Sequence, residues 1–239
     1  MCLLSVTACH STPSVPSVEH ARLPVVDPVT VIADSYAPTS GIEGHDDGNW
    51  PQLMLHQLVG DGFLISPAVG AEAGSGYVAR GTDGKAFGEK LEGGVPNDAR
   101  LVVFVGSRND ADIPPEQLAA AVARDYAMVH TIAPASQILV IGPAWPDATP
   151  PPDIVGVRDV LKREAQAAGA TFVDPLALGW FVGQADLLSS DGNTLSAAGH
   201  QYLSDMVAPL VESALCAPHE FKASKAPPEA PPAACARLN

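Results

Sequence analysis

Short apolar runs alternate with longer segments of helical periodicity along the chain. The runs cover residues 29–33, 63–69, 101–105, 137–142 and 171–175. Unbroken apolar runs of this length are typical of strands that are buried on both faces, as in a parallel sheet. Strands that alternate with helices favour βαβ units. The pattern therefore predicts an α/β fold in which helices cover both faces of a parallel sheet.

Segments with helical periodicity lie between the predicted strands. The clearest begins at Pro114, since proline is tolerated in the first turn of a helix, and it repeats Leu118, Val122, Tyr126 and Val129 at helical spacing. The other segments are predicted helices at about 50–59, 152–168 and 196–215 and a long glycine-rich loop at 70–97.

The composition indicates one globular domain with a short segment at each end. Hydrophobic residues make up 46% of the 239 residues and charged residues 17%. We expect a signal or lipobox remnant and linker at 1–25, a domain at 26–215 and a Pro/Ala-rich tail at 216–239. The central part is long enough to bury a sizeable core.

The strongly acidic balance excludes one class of partner. The formal net charge is −14, and such a surface repels phosphate backbones, so no nucleic-acid partner is expected. An anionic membrane surface is repelled in the same way. Because no run of 18 apolar residues occurs, no segment is expected to span a bilayer.

The N-terminal segment suggests export. Val6-Thr7-Ala8-Cys9 resembles a bacterial lipobox, in which small residues precede a cysteine that becomes lipid-modified, and a Ser/Pro/Thr-rich spacer follows it. One interpretation is a lipid anchor at Cys9 on an envelope lipoprotein or secreted protein, with Met1 lying inside a longer signal sequence. The alternative is a chance cysteine in an unstructured segment.

Two cysteines flank the Pro/Ala-rich tail. In an oxidising compartment Cys216 and Cys235 would pair and hold the tail against the last helix. In a cytosolic protein they would be two unpaired thiols. The signs of export favour the disulfide.

One strand delivers a serine to the edge of the predicted sheet. The apolar run at 29–33 ends abruptly at Asp34-Ser35, so Ser35 is a candidate nucleophile. Ligands of open parallel sheets bind beyond the carboxyl ends of the strands. Two further polar peptides follow strands and are expected at the same edge: Gly74-Ser75-Gly76 and Gly106-Ser107-Arg108-Asn109-Asp110.

These peptides, in this order, resemble the sequence blocks of the GDSL/SGNH hydrolases. The resemblance covers residues 29–215. Alanine at 33 replaces the glycine that usually leads the first block. The matching positions are Ala33-Asp34-Ser35-Tyr36, Gly76, Gly106 with Asn109-Asp110, and Asp191-Gly192-Asn193-Thr194 with Gly199-His200.

The resemblance implies a three-layer α/β/α sandwich around a flavodoxin-like parallel sheet, the SGNH hydrolase fold. It also implies a serine ester hydrolase. Ser35 would attack the carbonyl carbon of an ester after a base has taken its proton. The Ser35 N–H, the Gly76 N–H and the Asn109 amide would stabilise the oxyanion, and Asp191 would support the base. The sequence has no Cys-x-x-Cys pair and no His-Glu-x-x-His helix, so neither a metal site nor a cofactor is predicted.

One position departs from the family pattern. The family places its catalytic histidine three residues after the aspartate, but the residue three after Asp191 is Thr194, which cannot act as a general base near neutral pH. His200 is the first replacement candidate, and His45, which precedes two aspartates, is the second. Alternatively, the protein binds a ligand without hydrolysing it, or Thr194 is an altered residue in an otherwise active enzyme.

We therefore expect a serine esterase that acts on an ester, either a lipid or an acylated carbohydrate, at the cell envelope. The alternative is a catalytically impaired protein that binds an ester, glycan or lipid ligand. Removal of one member of a serine triad leaves only about 10³–10⁴-fold catalysis over water. The identity of residue 194 therefore bears directly on the choice between these functions.

Overall fold

The computed structural model describes residues 26–36, 47–190, 192, 194–217 and 233–237. Within these ranges one parallel sheet forms the middle of the molecule. Its strands are β1 (Asp27–Asp34), β2 (Ile65–Glu72), β3 (Leu101–Val105), β4 (Gln137–Ile141) and β5 (Thr171–Val173). Their order across the sheet is β2-β1-β3-β4-β5, and every pair is parallel. This order is that of a flavodoxin-like sheet.

Helices connect the strands and cover both faces of the sheet. In the described ranges they are α1 (Trp50–Gly60), α2 (Phe87–Leu91), α3 (Pro115–Ile132), α4 (Pro152–Ala167), α5 (Pro175–Leu178) and α6 (Ala197–Cys216). Prolines occupy the first turns of α1, α3 and α4, where the missing N–H removes no helical hydrogen bond.

The alternation of side chains along β1 divides the core into two layers. Val29 and Val31 belong to a cluster with residues of α1 and α6. Ile32 points to the other face and belongs to a cluster with residues of α2, α3 and α4. Because successive side chains of a strand point to opposite faces, an almost wholly apolar strand serves both layers. The predicted three-layer α/β/α fold is confirmed.

Two predicted boundaries are wrong. The second strand runs from Ile65 to Glu72 rather than from 63 to 69, because Phe63 N–H bonds to Leu58 O and closes the turn that ends α1. The predicted loop at 70–97 contains the end of β2 and the helix α2. A helix of one turn is too short to show a periodic pattern.

The predicted disulfide between Cys216 and Cys235 is confirmed, with 5.5 Å between the Cα atoms. Cys235 is buried and belongs to the core cluster of α1 and α6. The 3₁₀-helix Ala233–Arg237 therefore packs on the domain, although the sequence predicts it as part of a tail. The Arg100 guanidinium, at the start of β3, donates to the carbonyls of Leu215 and Ala217. The disulfide consequently lies at the edge of the sheet where the strands begin.

None of the helices in the described ranges has both the length and the apolar character needed to cross a bilayer. The lipobox-like segment with Cys9 lies outside those ranges.

Candidate active site

The carboxyl ends of three neighbouring strands bring the polar peptides together. In the sheet register Asp34 is paired with Glu72 of β2, and Ala33 is paired with Val105 of β3. Ser35 directly follows β1, the strand between β2 and β3. The loops that follow β2 and β3 therefore lie on either side of Ser35.

Asp34 connects the two loops through its buried carboxylate. Its Oδ1 accepts from the N–H groups of Tyr36 (3.0 Å) and Gly74 (3.3 Å). Its Oδ2 accepts from the Asn109 side-chain amide at 2.8 Å. Burial raises the pKa of Asp34, and these hydrogen bonds together with the charge of Arg108 oppose that rise. Asp34 thus joins β1 to the two flanking loops.

Asp110 holds the loop after β2. This fully buried carboxylate accepts from the backbone N–H groups of Tyr77 (2.8 Å), Val78 (3.0 Å) and Ala79 (2.8 Å). A Cβ atom at Gly76 would lie 2.5 Å from Asp110 Oδ2, far closer than normal packing allows. Glycine at 76 is therefore required by the approach of Asp110, a structural role that sequence reasoning did not assign to it.

The proposed oxyanion donors all have acceptors within the protein. Ser35 N–H bonds to Glu72 O at 3.2 Å and Gly76 N–H bonds to Ala79 O at 3.0 Å. The Asn109 amide nitrogen donates to Asp34 Oδ2 at 2.8 Å and to the carbonyl of Ser75 at 2.9 Å. An ester oxygen at this site must replace some of these acceptors.

The backbone carbonyls of Glu72 and Ser75 are the acceptors that lose a hydrogen bond at the lowest cost. Glu72 O also accepts from Ser75 N–H at 3.2 Å, and Ser75 O also accepts from the Ser107 hydroxyl at 3.2 Å. Each carbonyl therefore keeps a hydrogen bond when Ser35 N–H or the Asn109 amide turns to a ligand, which avoids the penalty for an unsatisfied buried group.

Tyr36 is a site residue whose role the sequence did not reveal. It has a positive φ of 54°, which is uncommon for a residue other than glycine. Its carbonyl accepts from Leu195 N–H at 3.0 Å, and the Arg108 guanidinium carbon lies 5.0 Å from the centre of its ring. Burial and the neighbouring Asp34 raise the pKa of Tyr36. No spacing rule distinguishes such a tyrosine from an ordinary core residue.

The segment that precedes α6 is where the family resemblance places the base. It contacts the site through Leu195. Leu188 and Leu195 form an antiparallel bridge, and Ser189 N–H bonds to Thr194 O at 2.9 Å. Together with the bond from Leu195 N–H to Tyr36 O, these contacts place half-buried Thr194 beside the end of β1. Asp191 lies outside the described residues.

His200 lies in the first turn of α6, where it is only 4% exposed. Ser196 caps this turn by accepting from Gly199 N–H at 3.1 Å, and His200 N–H bonds to Ser196 O at 2.9 Å. A Cβ atom at Gly199 would lie 2.0 Å from the carbonyl oxygen of Leu187, so glycine permits the close approach of α6 to that segment. His45 lies outside the described residues.

The chain is similar in sequence to a curated bacterial protein. A GDSL lipase of Mycobacterium tuberculosis (strain ATCC 25618 / H37Rv) is 39% identical over 193 residues, which cover 80% of this chain and 84% of the relative. No known protein-family model matches the chain.

Solved structures show the same fold at low sequence identity. TesA has a TM-score of 0.64 at 19% identity and covers 79% of this chain and 100% of its own. The acetyl xylan esterase AlAXEase has a TM-score of 0.58 at 14% identity, with coverage of 77% and 99%. A lipase/acylhydrolase from Enterococcus faecalis has a TM-score of 0.57 at 18% identity, with coverage of 83% and 100%.

Proposed function

The chain belongs to the GDSL/SGNH hydrolases, and on that premise we propose that it is a serine ester hydrolase with Ser35 as its nucleophile. One observation carries the proposal: Asp34 holds Ser35's strand, the loop after β2 and Asn109 in one hydrogen-bonded unit. Such a unit fixes a nucleophile and an amide donor relative to each other before substrate binds, which is the condition for oxyanion stabilisation.

The proposed reaction passes through an acyl-enzyme. Ser35 Oγ bonds to the ester carbonyl carbon while a base takes its proton, and the carbonyl oxygen becomes an oxyanion. The alcohol then leaves with that proton, and water hydrolyses the acyl-serine. Ser35 N–H and the Asn109 amide are the best-placed donors because their present acceptors keep other hydrogen bonds. Gly76 N–H is the costliest of the proposed donors to release, since it closes a turn to Ala79 O.

We propose His200 as the base, supported by Asp191, with His45 as the second candidate. His200 belongs to the helix whose preceding residues contact Tyr36 O through Leu195. We propose that the substrate is a lipid ester or an acylated carbohydrate. One protein of similar sequence is named a lipase, and one structure of similar fold is named an acetyl xylan esterase. These names support the choice only at the level of ester chemistry.

A second candidate function is ligand binding without turnover. Ser35 is fully buried, and the residue at the family's histidine position is Thr194. A protein with this arrangement keeps a polar pocket for an ester, glycan or lipid and lacks the usual means of activating its serine.

Hydrolysis of p-nitrophenyl butyrate and labelling by a fluorophosphonate distinguish these functions. The enzyme proposal predicts turnover and labelling at Ser35 that are both lost in Ser35→Ala. Ser66→Ala, which removes an exposed hydroxyl on β2, should retain both. Turnover that survives in Ser35→Ala contradicts the nucleophile assignment, and a wild-type protein that neither hydrolyses the ester nor is labelled supports the binding function.

The base assignment is tested by His200→Gln and His45→Gln. If His200 is the base, its variant loses turnover by a factor of about 10² or more, and circular dichroism shows that the fold is kept. A loss confined to His45→Gln reassigns the base to His45. Turnover that survives both substitutions contradicts both assignments.

We also propose that the protein is exported and carries a lipid at Cys9. The lipobox-like residues 6–9 and the disulfide Cys216–Cys235 support this, because disulfides persist in oxidising compartments. Mass spectrometry of the protein purified from the membranes of an expressing bacterium should find a lipid-modified Cys9. An unmodified Cys9 in membrane-competent cells contradicts the proposal.

A further inference from the structure

Arg108 differs from most lysines and arginines in the described residues because it forms no ion pair with a carboxylate there. The protein has 27 acidic and 13 basic residues, so a cation finds an acidic partner easily. The ion pairs in the described residues are Arg80–Glu89, Lys90–Asp83, Arg100–Asp27, Arg124–Asp125, Arg158–Asp159, Arg158–Asp174 and Arg163–Glu164.

The fold holds Arg108 at the candidate site. It begins the 3₁₀-turn Arg108–Asp110 after β3, and Ser107 Oγ fixes this turn by accepting from Asn109 N–H at 3.1 Å. Arg108 therefore directly precedes the proposed amide donor. Its side chain is half-buried and stacks on Tyr36, the residue after Ser35, with 5.0 Å between the guanidinium carbon and the ring centre.

Stacking restricts the guanidinium without using its hydrogen-bonding capacity. Tyr36 is itself held, because its N–H bonds to Asp34 and its carbonyl accepts from Leu195. A guanidinium over an aromatic face keeps its N–H groups at the periphery of its plane, where they bind carboxylate or phosphate oxygens in pairs. In the part of the chain that the structure describes, the guanidinium N–H groups of Arg108 donate no hydrogen bond.

From this we infer that Arg108 binds an anionic group of the substrate, a carboxylate or a phosphate close to the scissile ester, so that the protein selects acidic esters. This inference rests on the proposal that an ester binds at Ser35. A positive charge at the site of a chain with a net charge of −14 also offsets the repulsion that an anionic ligand meets elsewhere on the surface.

Matched ester pairs test the inference and locate the anion. The acyl-side pair is p-nitrophenyl hexanoate and the mono-p-nitrophenyl ester of adipic acid. The alcohol-side pair is ethyl hexanoate and carboxymethyl hexanoate. We expect wild type to favour the acidic member of one pair by about tenfold in kcat/KM, which corresponds to about 1.4 kcal/mol. The pair that shows the preference tells which side of the ester carries the anion.

Variants of Arg108 assign the preference to its guanidinium. Arg108→Gln should abolish the preference, Arg108→Lys should retain part of it, and Lys162→Gln should leave it unchanged. Lys162 is an exposed residue of α4, so its replacement changes the net charge equally. High salt should weaken the preference only if a charge is recognised.

A binding experiment separates failure of this inference from failure of the proposed function. Calorimetry measures the affinity of Ser35→Ala for monomethyl adipate and for methyl hexanoate. Equal hydrolysis within both pairs overturns the inference and leaves the enzyme proposal intact. Absence of hydrolysis, with tighter binding of monomethyl adipate that Arg108→Gln abolishes, overturns the enzyme proposal and supports the inference. Neither hydrolysis nor binding of any of these esters overturns both.

Discussion

The two sides of the candidate site differ in how much of the fold depends on them. On the side formed by the ends of β1, β2 and β3, Asp34 and Asp110 each accept three hydrogen bonds. On the other side, the segment before α6 contacts the site through Leu195. It contains Thr194, which we propose replaces the family's histidine. The first side is part of the folded framework, whereas residue 194 is a half-buried loop residue.

If residue 194 is an altered base position, as we propose, this difference explains how the framework of buried carboxylates persists beside it. A buried carboxylate that satisfies backbone N–H groups cannot be replaced without exposing those groups to an unfavourable environment. A substitution at Thr194 keeps the backbone hydrogen bond from Ser189 N–H to its carbonyl. The framework is therefore retained for stability as well as for chemistry, and its presence alone does not show that Ser35 is reactive.

Loss of the Asp110 carboxylate should have the largest effect on stability. Asp110→Ala leaves the N–H groups of residues 77–79 without their acceptor, and we expect a loss of about 4 kcal/mol in the free energy of unfolding. Thermal denaturation should show a fall of about 10 °C in Tm. Asp112→Ala, at an exposed position in the same loop, should change Tm little. Equal Tm values for wild type and Asp110→Ala contradict the structural role.

The disulfide at the opposite edge of the sheet should affect stability but not the site. Cys216→Ser combined with Cys235→Ser should lower the free energy of unfolding by about 3 kcal/mol, since the crosslink restricts the unfolded chain. Urea denaturation measures that loss. Ester turnover or ligand binding at a temperature where the variant is folded should equal that of wild type. A change in turnover there shows that the two edges of the sheet are coupled.

A smaller, pH-dependent effect on stability is expected from Asp125, a buried residue of α3. Burial raises the pKa of Asp125 to about 6, against the opposing influence of Arg124. Between pH 4 and pH 6 the folded protein keeps a proton that the unfolded chain has released, so the free energy of unfolding falls as pH rises through that window.

In Asp125→Asn the side chain is an amide, which neither binds nor releases a proton in this pH range. Relative to wild type it should gain about 2 kcal/mol in the free energy of unfolding between pH 4 and pH 8. Urea denaturation at the two pH values measures the difference, and Asp98→Asn, at an exposed position, should show no such change. A pH-independent difference for Asp125→Asn contradicts the raised pKa.

Much of this framework could be predicted from sequence because it follows from local pattern. The runs at 29–33 and 101–105 are apolar enough to specify buried strands, and the residues that end them mark the carboxyl edge of the sheet. The place of Ser35 beyond the end of a strand follows from that alternation. Helix α2 could not be predicted, because one turn shows no period.

Contacts between distant segments could not be predicted. Asp110's bonds to residues 77–79 span more than 30 positions, and the stacking of Arg108 on Tyr36 depends on the adjacency of β1 and β3. The role of Gly76 illustrates the limit. Family resemblance assigns its N–H to the oxyanion, whereas its contacts show that the absence of a side chain makes room for Asp110.

We propose above all that the oxyanion side of the site is intact and that residue 194 limits the base side. The most direct measurement is kcat/KM for p-nitrophenyl butyrate in Thr194→His relative to wild type, with Thr194→Asn as a control of similar size without a base. We predict an increase of about tenfold or more for Thr194→His, no increase for Thr194→Asn, and loss of the gain when Ser35→Ala is added. An unchanged or lower kcat/KM in a folded Thr194→His protein would contradict the claim.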